Sequence, residues 1–170
     1  MKIHVTGNAG SGKTTLAAVI GAELGLPVYG LDSIVWSPGW QKTSPDIRAA
    51  KESELISGDD WVIDGVSPAV RRAADVTILL DVDRLTSFRR CASRNWKYLF
   101  RSRPGLPERC PEILIFPRLC QIIWRFPTRV LPQILGDLEA SSGQFFRVRN
   151  DRERYTALSY LGIDEPILGG

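Results

Sequence analysis

The chain has 170 residues, 44% of them hydrophobic and 24% charged, with a formal net charge of +3. That length suits a single domain over residues 1–170, and no apolar run reaches the roughly 20 residues of a membrane span. Three irregularly spaced cysteines and a single histidine argue against a disulfide frame or a Cys/His metal cluster, and the chain opens directly on a strand pattern rather than a leader, so a cytoplasmic protein is expected.

Taken in order, Lys2-Ile3-His4-Val5-Thr6 is a β-branched run that reads as a buried parallel strand, with His4 as packing. The residues that follow, Gly7-Asn8-Ala9-Gly10-Ser11-Gly12-Lys13-Thr14, match the pattern G-x-x-x-x-G-K-[ST] in full. Glycine-rich backbone turns its N–H groups inward on an anion, and a helix opening at Thr15 adds its positive end. The pattern points to a nucleoside triphosphate. Lys13 bridges its β- and γ-phosphates and the Thr14 hydroxyl ligates Mg²⁺, while Gly7, Asn8, Ala9, Gly10, Ser11, Gly12 and Thr15 complete the cradle. The helix runs to residue 24 and closes at Gly25.

Residues 27–29 read as a second strand ending at Gly30. Asp32 then stands at the carboxyl end of a parallel strand, the edge where ligands bind in open α/β sheets. There it can take a proton from a substrate hydroxyl, hold Mg²⁺ through water, or merely cap a turn. Trp36 and Trp40 flank a Pro-Gly turn and can stack on a planar acceptor or pack on the core. A helix over 45–56, capped by Ser44, leads to a strand over 60–65. That strand puts a second acid, Asp64, on the same edge, suited to the water shell of Mg²⁺, and Gly65 lets a ligand approach the backbone. A short helix over 69–74 carries Arg71, a candidate clamp for a substrate phosphate.

Residues 75–81 are the clearest strand, with an apolar interior read as central in the sheet, and a helix over 84–98 follows. Next come three prolines and a glycine among Arg101, Arg103 and Arg109. This composition describes a mobile lid at about residues 100–112, whose cations would neutralise charge on a transferred phosphoryl group. Helices are expected over 113–125, kinked or delayed at the start by Pro117 and ended by Pro127, and over 130–140. A strand over 145–148 and a helix over 152–161 capped by Asp151 complete the pattern, with a loose tail after Gly162. The order predicts an α/β fold of the P-loop type. It is a three-layer α/β/α sandwich with a five-stranded parallel sheet, helices on both faces and an arginine-rich lid. Between Arg84 and Arg129 stand eleven Lys/Arg and two Asp/Glu, a local balance of +9 against −6 for the remainder. Such a segment is a lid over phosphates or a nucleic-acid surface. Without a helix-turn-helix or zinc module, direct nucleic-acid contact is not expected.

With these residues placed, the chain resembles the adenylate-kinase-related P-loop kinases. Within them it is similar to the small bacterial proteins often labelled DNA topology modulation proteins. The resemblance rests on Gly7 to Thr14, Leu31-Asp32-Ser33 with Trp36-Ser37-Pro38-Gly39-Trp40, and Trp61-Val62-Ile63-Asp64-Gly65. It continues through Leu80-Asp81, Cys110-Pro111-Glu112 and Trp124-Arg125-Phe126. It implies a doubly wound sheet of five strands and an ATP site on the glycine loop. It also implies that Asp32 faces the acceptor and that Asp64 serves the metal with Thr14. The chain departs from the family at Ile113-Leu114-Ile115-Phe116-Pro117, where a more polar helix start is usual. The expected activity is transfer of the γ-phosphoryl of ATP, with Mg²⁺, to a small acceptor such as a nucleoside monophosphate or related metabolite. Lys13, Asp32, Arg101, Arg103 and Arg109 form the expected catalytic set. Trp36, Trp40, Gly65 and Arg71 join Asp32 on the acceptor. The alternative is a nucleotide-dependent NTPase acting on DNA or a protein partner. A monomer or weak dimer with no membrane contact is expected.

Overall fold

Strand-forming apolar runs alternate with helical stretches along the chain, and the connections between strands are long enough to cross a sheet. The computed structural model describes residues 1–97, 112–139 and 141–164. The chain runs β1 (Lys2–Gly7), α1 (Lys13–Leu24), β2 (Val28–Gly30), α2 (Asp32–Val35), β3 (Trp36–Ser37), β4 (Gln41–Lys42), α3 (Pro45–Ser57) and β5 (Trp61–Asp64). It continues through α4 (Pro68–Ala73), β6 (Val76–Leu80), α5 (Arg84–Lys97), α6 (Glu112–Arg125), α7 (Leu131–Glu139), β7 (Gln144–Val148) and α8 (Asp151–Tyr160). Five strands pair in parallel in the order β2-β5-β1-β6-β7, while β3 and β4 form a separate antiparallel hairpin. The fold is the expected α/β type, and β1 is its central strand. Because all five strands run the same way, their carboxyl ends share one edge.

Side chains alternate across the strands and build two different faces. On one, Ile3, Val5, Val76 and Ile78 pack against Leu16, Ala17 and Ile20 of α1 and Ala157 and Leu158 of α8. On the other, Trp61 and Ile63 lie beneath Val70, and Leu79 packs with Phe126, Ile134 and Leu138. The central strand contributes no aliphatic group to that second face; it contributes His4 and Thr6, both fully buried. Buried polar groups also tie α3 to α4. The Glu52 carboxylate accepts from Ser67 Oγ at 2.7 Å and from Arg48 Nε at 2.7 Å, and Ser67 Oγ in turn caps α4 by accepting from the Val70 amide.

The Pro-Gly turn expected between Trp36 and Trp40 closes a short hairpin that follows a turn of helix, with the two indole rings edge to face at 5.3 Å. Four local expectations are corrected. Ser44 precedes α3 but makes no side-chain cap bond. The α-helix stops at Arg125 as expected, but Pro127 does not break the helical path: a wider π-helical turn, Phe126–Val130, carries the chain straight into α7. Proline removes a backbone donor and its ring crowds the carbonyl four residues back, and a wider turn relieves both. The last helix is capped by Asn150, whose side chain accepts from the Glu153 amide, so Asp151 is its first residue instead. Beyond Gly162 the chain is not loose at once, since Ile163 is buried in the core under α8.

Candidate phosphate-binding and acceptor site

The glycine loop leaves the end of the central strand and enters α1 at Lys13, as its pattern requires. Two of its side chains are buried in the protein rather than turned to solvent. Asn8 donates from Nδ2 to the Ile123 carbonyl at 3.1 Å. In an α-helix that carbonyl would be served by the N–H of residue 127, and residue 127 is a proline. The loop therefore takes up an acceptor that Pro127 releases, which fastens it to α6. Ser11 is buried, and its hydroxyl finds no partner among the described residues. An orphaned buried hydroxyl inside an anion-binding turn fits a phosphate oxygen. Lys13 Nζ donates to the Asn8 carbonyl at 2.8 Å, across the loop. Thr14 and Thr15 are exposed at the positive end of α1.

Helix α5 braces this loop from behind. Gly10 sits in the left-handed region at φ 76°, and a Cβ there would strike the Ser87 carbonyl and lie 3.1 Å from Cys91 Sγ. One turn along, Arg90 Nη1 donates to the Ser11 carbonyl at 3.3 Å. Arg90 is the site cation that the sequence reading passed over. The signal was available: residues 87, 90 and 91 lie on one face of a helix with the register of α5. Arg101, Arg103 and Arg109, with the lid at about 100–112, fall outside the described residues, except that Glu112 opens α6.

Both acids stand on the carboxyl edge. Asp64 ends β5, one strand from the glycine loop, and is 5% exposed. Asp32 opens α2 and is exposed, and the two positions are coupled because the Leu31 amide donates to the Asp64 carbonyl at 2.9 Å. Gly65 follows at φ 140°, where a Cβ would lie 2.7 Å from Leu31 Cβ. Trp36 has one partner in the Trp40 ring and another in Arg118 of α6, whose guanidinium lies 5.3 Å from its centroid. Arg71 is 3% exposed and pairs with Asp137 of α7, while its Nε and Nη1 have no partner among the described residues. It joins α4 to α7 from the inside.

His4 is buried and packed as expected, with Nε2 3.0 Å from the Gly65 carbonyl. Burial pushes its imidazole down to about 3, the positive charges of Arg71 and Lys13 act the same way, and the Gly65 bond opposes them. The unfolded chain thus takes a proton below about 6.5 that the folded chain refuses until about 3. Stability is fully present above that range and falls as pH drops through it, by about 1.4 kcal/mol per pH unit at most. Urea titrations between pH 7 and 4 should show a shallower loss for His4→Gln than for the unaltered protein. Parallel curves would mean that the folded protein protonates His4 readily.

Similarity to a known kinase decides the family. The sequence is 36% identical to a cytidylate kinase of Pyrobaculum aerophilum over 125 residues, spanning 63% of this chain and 67% of that protein. The chain belongs to the P-loop kinases. No family model matches it. Solved structures agree on the fold. A shikimate kinase from Bacteroides thetaiotaomicron superimposes with a TM-score of 0.53 over 94% of each chain at 17% identity. A deoxyadenosine kinase from M. mycoides with bound dATP gives 0.54 over 95% of this chain and all of that one at 14% identity. Among the described residues no helix of this P-loop kinase is long and apolar enough to cross a membrane.

P-loop kinases bring Mg²⁺ in with the triphosphate, and hard oxygen donors suit it. The donors expected from the sequence are of that class, a Thr14 hydroxyl at the start of α1 and an Asp64 carboxylate on the adjoining strand. Among the described residues no three or more His, Cys, Asp or Glu cluster to hold an ion. The hydroxyl and carboxylate oxygens of Thr14 and Asp64 fit the Mg²⁺ that a bound triphosphate carries.

Proposed function

We propose that this protein transfers the γ-phosphoryl group of ATP to a small acceptor, with a nucleoside monophosphate as the first candidate. The observation that carries the reading is the glycine loop lying on one sheet edge with Asp32 and Asp64. Likeness to cytidylate kinase supports the nucleotide acceptor. Mg²⁺, when bound, neutralises the phosphates, with Thr14 and Asp64 as the residues that hold it. Gly7 to Thr15 bind the triphosphate, and Lys13 balances the charge on the moving group. Arg90 joins Lys13 from behind the loop, and Arg101, Arg103 and Arg109 act with them from the lid. Asp32 orients the acceptor and accepts its hydroxyl proton where it has one to lose. Trp36 and Trp40 offer stacking surface to a planar base, Gly65 leaves backbone room for it, and Arg71, paired with Asp137, adds a buried positive charge that a substrate phosphate would draw on. Reactions of this kind are mostly positioning and charge neutralisation, which such a set supplies.

Incubation with MgATP and a panel of CMP, UMP, AMP, deoxynucleosides and shikimate tests the reading by product formation. Arg90→Ala should lower turnover with the best acceptor about 100-fold, the usual order for removing one charge-stabilising donor. Trp36→Leu should raise the KM for a nucleotide and leave that for shikimate unmoved. No phosphorylated product from any acceptor would sink the kinase reading. The +9 segment favours a second reading, a regulatory NTPase on DNA. That reading requires DNA affinity falling steeply with salt, and an anisotropy titration at low salt decides it.

A further inference from the structure

His4 is the only histidine in the chain. It occupies a place on the central strand, between Ile3 and Val5, that an aliphatic residue would fill without desolvating a ring nitrogen. The backbone explains why a donor stands there. At Gly65 the chain leaves the ladder with φ 140°, so its carbonyl turns away from the β1 amides. The Gly65 amide still donates to the Val5 carbonyl at 3.0 Å, and its own carbonyl, buried, meets His4 Nε2 at 3.0 Å. A carbonyl only accepts, so Nε2 carries the proton and Nδ1 does not. One residue earlier, the Asp64 carbonyl accepts from Leu31, the residue before Asp32. Three hydrogen bonds thus tie the strand that feeds the glycine loop to the strand end bearing Asp64 and to the turn bearing Asp32.

Resting on the kinase reading, we infer that His4 is a positioning residue for the metal. By holding the Gly65 carbonyl, it fixes the backbone at Asp64, which pairs with Val5 at the strand end that feeds the glycine loop. An apolar residue of similar volume leaves that carbonyl unpaired and the Asp64 turn free to shift, while the loop that grips the phosphates stays in place.

The test separates metal from nucleotide. Mn²⁺ is titrated into the ADP complex and followed by its electron spin resonance, and affinity for a fluorescent ADP is measured in EDTA. His4→Met should weaken Mn²⁺ about 10-fold, the lower range for loss of a residue that orients a ligand. Metal-free nucleotide affinity should stay within about twofold, since the loop is untouched. His4→Gln places an N–H near the Nε2 position and should restore the metal affinity. His4→Asn reaches only the Nδ1 position and should not. That pair of polar variants carries the test where His4→Met fails to fold. Equal Mn²⁺ affinity in the unaltered, Met and Asn proteins would overturn the inference and leave the kinase reading standing. Absence of ADP binding by the unaltered protein would overturn the kinase reading and this inference with it.

Discussion

Lys13→Ala should reduce kcat/KM for phosphoryl transfer about 10³-fold, or about 4 kcal/mol of transition-state stabilisation, while leaving the fold intact. Lys13 is the first residue of α1 and only half-buried, and its ammonium bonds to the Asn8 carbonyl of the loop. Alanine is the best helix former, so α1 keeps its start. Activity then reports the missing charge alone. Steady-state kinetics beside a thermal melt checks the expectation. A variant retaining more than a tenth of the activity would place the γ-phosphate away from Lys13, and the site built around the loop would have to be redrawn.

A second large effect concerns the pair that joins α4 to α7. Asp137→Ala should destabilise the protein by about 3 kcal/mol, whereas Arg71→Met should cost about 1 kcal/mol or less. The asymmetry follows from exposure: Arg71 is 3% exposed and Asp137 39%. Removing the carboxylate strands a cation that water cannot reach, all the more because two of its nitrogens have no partner among the described residues. Removing the guanidinium leaves an acid that water still solvates, and methionine fills the vacated volume. Urea unfolding of both variants measures the difference, and equal losses would remove the argument. Nucleotide KM in the folded Arg71→Met protein then reports separately whether this cation serves a substrate phosphate.

The elements were legible where local pattern and tertiary role agree. Val76–Leu80 is buried at every position and apolar at all but Thr77 because helices cover both its faces, and a buried parallel strand can be read from such a run alone. Gly25 closes α1 in the left-handed conformation, as its spacing before Pro27 requires. Asp151 misled because Asn150 and Asp151 are both good caps, and only the path of the chain decides which side chain meets the Glu153 amide. Pro127 misled because a proline is a local stop, while the apolar residues on either side of it share one partner in Leu79 and keep the helices together.

The sequence by itself determined the glycine loop, the five strands, and the placing of Asp32 and Asp64 at strand ends, since each follows from spacing within a few residues. The tertiary structure alone decided the contacts between distant segments. It set Arg90 of α5 against Ser11, gave Asn8 to a carbonyl freed by Pro127, turned Arg71 inward to Asp137, and put His4 under Gly65. Each of these bonds joins residues 60 or more positions apart. A chain's local pattern sets where a side chain sits on its own helix or strand. Which carbonyl or carboxylate lies across from it depends on strand order and crossover, and these are fixed only when the sheet closes.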